Sequence, residues 1–300
     1  MLESSHTKPG RASLSPMRSG LFEAESRQGF SPTYTGPRRR KHDVNSLRTI
    51  IVVPCFNEAH RLDMRSFIDH TSRDRHVSYL MVDDGSLDST APLLRRMATL
   101  APDRIRVLEL GRNFGKAEAV RQGICLALRE CPDVVGYWDA DLATPLEAIE
   151  DLLRTLRLRP EVDIIIGSRV KLLGRDIDRR PMRHYVGRVF ATLASITLRM
   201  SVYDTQCGAK LFRRTPTLDS YFETPFTSRW LFDVELLARA TAHPVRRRAL
   251  LEEGGLMEYP LHKWHDVAGS KLRMKDFVVA AVDLLRIWVR YRSWKRPPHS

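Results

Sequence analysis

No run in this chain approaches the roughly 20 uninterrupted apolar residues that a membrane-spanning helix needs. Its first residues are polar and lack an apolar signal core, so the expected compartment is cytoplasmic. Cysteine is scarce. Cys55, Cys125, Cys131 and Cys207 are the 4 present, and they form no CxxC pair and no zinc spacing, so reduced thiols are expected. No GxGxxG follows the first apolar strand, which disfavours a dinucleotide-binding Rossmann site, and no GxxxxGK[ST] occurs, which excludes a P-loop. There is no internal repeat. Negative charge is in the minority. The chain of 300 residues has 49 Lys+Arg against 36 Asp+Glu, a net charge of +13, which favours anionic partners. A nucleic-acid partner is not expected, because no recognition helix and no aromatic-basic motif accompanies that charge.

Enough apolar residues are present for a sizeable core. Residues 1–46 are rich in Ser, Pro, Gly and Arg, show no apolar period and end in Arg38-Arg39-Arg40-Lys41. They read as a disordered basic tail. From residue 47 the pattern changes. Short β-branched runs at 49–53, 78–82, 105–110, 134–138 and 164–166 read as strands, and the segments 59–70, 88–100, 115–130 and 145–158 read as helices. Such alternation predicts an α/β fold with a mostly parallel central sheet flanked by helices. The expected organisation is a main domain over 47–275, followed by a C-terminal amphipathic helix and tail over 276–300. On that helix Asp276, Asp283, Arg286 and Arg290 share one stripe, and apolar residues fill much of the remainder. Trp288 and Trp294 suit a lipid boundary, the alternative being a helix packed on the domain.

Polar clusters fall at three strand ends: Pro54 to Glu58, Asp83-Asp84-Gly85-Ser86 and Asp139-Ala140-Asp141. In parallel sheets the ligand lies beyond those ends. Two carboxylates flanking a small residue suit a hard cation, which takes one or two carboxylates and completes its shell with substrate phosphates. Lys116 opens a helix, where its charge opposes the dipole unless an anion binds there. Residues 169–188 hold seven Arg/Lys against two Asp, a loop suited to phosphate.

Together the motifs Val53-Pro54-Cys55-Phe56-Asn57-Glu58, Val82-Asp83-Asp84-Gly85-Ser86, Asn113-Phe114-Gly115-Lys116 and Asp139-Ala140-Asp141 resemble glycosyltransferase family 2, with the GT-A nucleotide-diphospho-sugar transferase fold. Gly167-Ser168-Arg169, the run Asp204 to Phe212, the run Arg229 to Leu236, and Trp264 followed by Gly269-Ser270-Lys271-Leu272 resemble its dolichyl-phosphate β-glucosyltransferase-like branch. The match spans roughly residues 48–292. Two departures stand out: eukaryotic members carry an N-terminal membrane anchor where this chain has a basic tail, and the tyrosine common in the first motif is Phe56 here.

The resemblance implies an inverting hexosyltransferase of protein glycosylation that moves glucose from UDP-glucose to a polyprenyl (dolichyl or undecaprenyl) phosphate. It implies Mg²⁺ or Mn²⁺ held by Asp139 and Asp141, and donor contacts from Pro54, Phe56, Glu58, Asp84, Lys116 and Ala140. Arg169, with Arg180 and Arg183, would face the acceptor phosphate. Asp233, Arg169 and Asp141 are the catalytic candidates, with Asp233 the base if the acceptor is a hydroxyl. A peripheral contact with the cytoplasmic face of a membrane would suit such an acceptor. A soluble hydroxyl acceptor and a GDP-mannose donor are the alternatives.

Overall fold

The computed structural model describes residues 47–178, 181–266 and 274–292. The tail 1–46, Arg180, the segment 269–272 and the side chain of Arg183 lie outside the described residues.

Nine strands and nine helices occur among the described residues. The first four strands alternate with helices: β1 (Thr49–Cys55), α1 (Met64–Arg73), β2 (Val77–Asp83), α2 (Thr90–Leu100), β3 (Ile105–Glu109), α3 (Lys116–Leu128), β4 (Val134–Trp138) and α4 (Glu147–Leu158). There follow β5 (Ile164–Ser168), β6 (Asp176–Asp178), α5 (Pro181–Leu198), β7 (Ala209–Arg213), α6 (Leu218–Phe222), α7 (Phe232–Ala240), α8 (Pro244–Leu251), β8 (Leu256–Pro260), β9 (Lys263–His265) and α9 (Met274–Arg292).

Seven strands form one sheet in the order β3-β2-β1-β4-β7-β5-β8. All its pairings are parallel except those of β7, which runs antiparallel to both β4 and β5. β6 and β9 form a separate parallel pair. The central strands β1, β4 and β5 are apolar at nearly every position because both faces are covered. Ile50, Val52, Leu80, Val82, Val135 and Tyr137 point into one core with α3, α7 and the inner side of α9. Ile51, Val53, Tyr79, Met81, Val134 and Trp138 point into the other with α1, α2 and α4. This is the period of two expected of strands.

The mostly parallel α/β sheet predicted from the sequence is therefore present, with one correction. The helix expected at 59–70 starts at Met64. Asn57 adopts a positive φ of 54°, the N–H groups of Arg61 and Leu62 turn back onto Glu58 O, and Asp63 caps the helix by accepting from Ser66 N at 3.1 Å. Local polar bonds thus hold 57–62 as a turn. For the C-terminal helix the sequence left two placements open, and α9 takes the packed one. Its residues Ala280, Leu284, Ile287 and Tyr291 belong to the main core, so this helix packs as part of the domain. Asp283 is buried and accepts from Ser228 Oγ at 2.6 Å, and Arg290 reaches Thr227 at 2.9 Å. Asp283 and Arg290 of the polar stripe thus face Ser228 and Thr227, whereas Val279, Val282, Leu285 and Val289 face outward.

Candidate functional site

The C-terminal ends of β1, β2, β4 and β5 lie at one edge of the sheet. Because β7 runs antiparallel, its entry at Cys207–Gly208 lies at that edge too, with Ala209 opposite Trp138. Five segments thus converge where three were anticipated.

The first two loops are sewn together by side chain to backbone bonds. Asn57 N donates to Ser86 Oγ at 3.0 Å, and Leu87 N donates to Asn57 Oδ1 at 2.8 Å. Asp84 is buried, and its two oxygens accept from Phe114 N at 2.7 Å and Gly115 N at 2.8 Å. Burial raises its pKa, an effect those two bonds only partly offset. Gly85 sits at φ +68°, and a Cβ there would lie 2.3 Å from the Arg112 carbonyl carbon. Only glycine lets the 111–115 loop pack so closely. Pro54, one residue before the end of β1, lies beside Val82. The Phe56 ring is 40% exposed, available as a flat apolar surface. Glu58 is buried and paired with Arg61. Arg61 extends that pair toward the DxD motif, its Nη1 lying 4.0 Å from Asp141 Oδ2.

Lys116 opens α3 and places Nζ 2.5 Å from Asp139 Oδ1. Burial pulls its pKa down, but the charges of Asp139 and Asp233 outweigh this and leave it raised. Asp139 shows the converse: burial pushes its carboxyl up, while Lys116 foremost, then Lys210 and Arg169, bring it below the usual value. Asp141 is pushed up by burial and then by the charge of Asp139. Its Oδ1 accepts from Ala143 N at 3.1 Å, and Ala140 between the two carboxylates is buried.

Gly208 closes the far side. Its carbonyl accepts the Asp139 N–H at 3.1 Å, and a Cβ on it would lie 1.9 Å from Asp139 Oδ2.

These residues fit a divalent cation. Among the described residues no group of three or more His, Cys, Asp or Glu side chains is arranged as a protein-only metal cage. Two neighbouring carboxylates, one destabilised by the charge of the other, instead match a hard cation that draws its remaining ligands from substrate phosphates and water.

Arg169, at the exit of β5, is brought to the site but is already engaged. Its Nε and Nη2 donate to Asp204 at 2.6 and 2.7 Å, and its guanidinium lies 5.3 Å from the Trp264 ring centre. The bidentate edge expected to face an acceptor phosphate therefore grips a carboxylate. Asp233 opens α7, is buried, and accepts on Oδ1 from both Lys210 Nζ and the Tyr137 hydroxyl. Arg229, which heads the 229–236 motif but was given no role, donates from Nε to Phe114 O at 2.9 Å and packs on Gly115 beside Lys116. Arg61, Gly208 and Lys210 were likewise unassigned. The last two lie inside the 204–212 motif, so the motif marked the segment without saying what it does.

Comparison with known proteins decides the family. The sequence profile of glycosyl transferase family 2 matches residues 50–219, more than half of the chain. The chain belongs to glycosyl transferase family 2. It is a glycosyltransferase, and its resemblance to the dolichyl-phosphate β-glucosyltransferase branch is shared across curated relatives. The protein of that name from Saccharomyces cerevisiae is 31% identical over 294 residues, covering 90% of this chain and 83% of the relative. That from Homo sapiens is 32% identical, covering 80% and 75%. That from Trichomonas vaginalis, designated ALG5C, is 31% identical, covering 82% and 72%. Among solved structures, glucosyl-3-phosphoglycerate synthase from Mycobacterium tuberculosis in complex with Mn²⁺ and UDP-glucose aligns with a TM-score of 0.58 at 18% identity, covering 87% of this chain and 86% of that one. The fold of this family 2 enzyme is thus the GT-A fold that the motifs implied.

Proposed function

We propose that this enzyme transfers glucose from UDP-glucose to a polyprenyl phosphate, with inversion and with Mg²⁺ or Mn²⁺, at the cytoplasmic face of a membrane. The observation that carries the reading is that relatives named dolichyl-phosphate β-glucosyltransferase align over 80 to 90% of the chain, well past the family-wide segment that ends at residue 219.

Asp139 and Asp141 would hold the cation, which when bound neutralises charge gathering on the leaving diphosphate. The chain supplies the rest. Lys116 is a second positive charge at the same place, held by Asp139 and available to a phosphate oxygen. The Phe56 ring offers a stacking surface for the base, with Pro54 beside it, and Glu58 and Asp84 fix the two loops that border the nucleoside. The arginine-rich 169–188 segment, Arg180 and Arg183 included, supplies positive charge for the acceptor phosphate, while Arg169 anchors its start through Asp204.

The surroundings of Asp233 support a phosphate acceptor over a hydroxyl. A hydroxyl needs a base. A phosphate monoester, with a second pKa of about 6, is already largely dianionic near neutrality and attacks without one. Asp233 sits buried between a lysine and a tyrosine, a poor arrangement for accepting a proton from substrate. No helix among the described residues is long and apolar enough to cross a membrane. The outward Val279, Val282, Leu285 and Val289 of α9 instead support a peripheral contact of the kind an interfacial helix makes.

The test is to incubate the purified chain with radiolabelled UDP-glucose or GDP-mannose, Mg²⁺ and dolichyl phosphate, and to extract label into organic solvent. Glucose label should enter the lipid and be lost with EDTA or Asp139→Asn. Lipid label from GDP-mannose alone would overturn the donor. No lipid label from either, with UDP still bound in a metal-dependent way, would overturn the acceptor and turn attention to soluble hydroxyls.

A further inference from the structure

β7 runs through the middle of the sheet, and one of its residues is a lysine with no solvent exposure, Lys210 at 0%. An ammonium withdrawn from water is costly unless it is paired and hydrogen-bonded. Here it is both. Nζ donates to Asp233 Oδ1 at 2.5 Å and to Cys207 O at 2.6 Å, and it lies 5.2 Å from the centre of the Tyr137 ring. The Tyr137 hydroxyl donates to the same Asp233 oxygen.

The groups gripped in this way are the two flanks of Asp139. Tyr137 stands two residues before it on β4. Cys207 stands one residue before Gly208, whose carbonyl takes the Asp139 N–H and whose α-carbon backs directly onto the Asp139 carboxylate. One buried pair therefore fastens both the strand that delivers Asp139 and the loop that limits where its side chain can go. A pair kept for stability alone would be dispensable, since replacing a buried ion pair by apolar residues of similar volume is often neutral or stabilising.

We infer that Lys210 and Asp233 are positioning residues that, through Tyr137 and the Cys207–Gly208 turn, hold the Asp139 carboxylate in its donor-binding orientation, and that Asp233 is not the catalytic base. The inference rests on Asp139 being a donor-site carboxylate, as the proposed function has it. It also accounts for a lysine and an aspartate that lie 23 residues apart in sequence and hydrogen-bond each other rather than the Asp139 carboxylate.

The experiment measures UDP binding by calorimetry, with and without Mn²⁺, alongside thermal unfolding and steady-state kinetics on the full chain. The variants are Lys210→Met, Asp233→Asn, Tyr137→Phe and the double variant Lys210→Met/Asp233→Leu. Outer groups that orient a metal ligand typically change metal affinity by about 10- to 100-fold when removed. Asp233→Asn and Lys210→Met should therefore weaken Mn²⁺-dependent UDP binding by at least about tenfold, and Tyr137→Phe by less. The double variant should unfold at or near the wild-type temperature yet still bind UDP weakly. That split separates positioning from stability. Wild-type UDP affinity in the folded double variant or in Tyr137→Phe would reduce the network to a structural role and overturn the inference. Wild-type UDP affinity in Asp233→Asn, with kcat lost and the acid limb of the pH profile gone, would restore Asp233 as a base. If the wild type itself showed no Mn²⁺-dependent UDP binding, the donor-site reading would fall first and take the inference with it.

Discussion

The two sides of the site edge secure their carboxylates differently. On the side built by β1, β2 and the exit of β4, backbone N–H groups hold three of the carboxylates, Ser86 N reaching Asp83, Phe114 N and Gly115 N reaching Asp84, and Ala143 N reaching Asp141, while Glu58 and Asp139 there pair with Arg61 and Lys116. On the side built by β5, β7 and α7, full cations do it: Arg169 on Asp204 and Lys210 on Asp233. A carboxylate held by neutral N–H groups keeps its net negative charge, available to a cation or a ribose hydroxyl. A carboxylate matched by a buried cation is a neutral pair and acts as a strut. The first side is therefore expected to fail in binding; on the second, losing one partner of the Arg169–Asp204 pair should cost folding, whereas the Lys210–Asp233 pair also steadies Asp139 and its loss should show in binding.

The sharpest test of that contrast is Asp204→Ala. It strands the Arg169 guanidinium, whose side chain is only 18% exposed, without its carboxylate. Breaking a buried pair from one side costs about 3 to 5 kcal/mol, which urea denaturation would read directly. Arg169→Lys keeps the charge but loses the two-pronged contact, so it should destabilise less. If Asp204→Ala left stability intact and removed only activity, the division between struts and ligands would collapse.

Gly208→Ala tests the place where the two sides meet. Gly208 belongs to the turn held by Lys210, yet the atom an added Cβ would strike is Asp139 Oδ2, at 1.9 Å. Asp139 would have to move, and misplacement of about 1 Å can cost about 10²-fold in rate. Transfer activity should fall by about that factor while the far-UV spectrum and the unfolding temperature stay near wild type. A large loss of stability with normal specific activity in the folded fraction would show that the turn accommodates the methyl elsewhere.

The same contrast explains what the sequence disclosed. β1 to β5 alternate with helices and are almost purely apolar, so their ends, and the carboxylates there, stand out as contiguous motifs. β7 was not legible as a central strand. Its residues Ala209-Lys210-Leu211-Phe212-Arg213 include two cations, and Lys210 is tolerated only because Asp233, on a separate helix, meets it. Nothing local announces that partner. Arg61 and Arg229 were missed for a related reason, since each reaches the site from a turn whose backbone path is set by Glu58 O or Ser228 Oγ rather than by a regular period. The helix predicted at 59–70 failed at its start because hydrogen bonds within 57–63 compete with helical ones.

A gentler probe of the backbone-held side is the pH dependence of stability. Burial raises the Asp84 pKa above its ordinary 3.8, so the folded state binds that proton more tightly than the unfolded state does. Its contribution to stability is accordingly largest at acid pH and declines as pH rises from 3.8 through the raised value, then levels off. Asp84→Asn removes this titration. Denaturation across that range should give a shallower decline for the variant than for the wild type. Parallel curves would mean that the bonds from Phe114 and Gly115 fully offset burial, so that folding would leave the Asp84 carboxylate as readily ionised as in the unfolded chain.

The smallest effect is expected at Phe56. Its ring is exposed just past the end of β1 and offers a stacking surface. Phe56→Tyr adds a hydroxyl at the solvent edge while keeping the π-face. Exposed substitutions of this kind usually stay within about 0.5 kcal/mol, so the KM for UDP-glucose should shift by no more than about twofold and the unfolding temperature should hold. Phe56→Ala, which removes the face, should raise that KM further, since stacking of a base on an aromatic ring is worth about 1 to 3 kcal/mol. A Tyr variant with markedly tighter donor binding would mean that the hydroxyl finds a partner on the base. The edge at β1 would then recognise the nucleotide by hydrogen bonding, and stacking would be the lesser part of its grip.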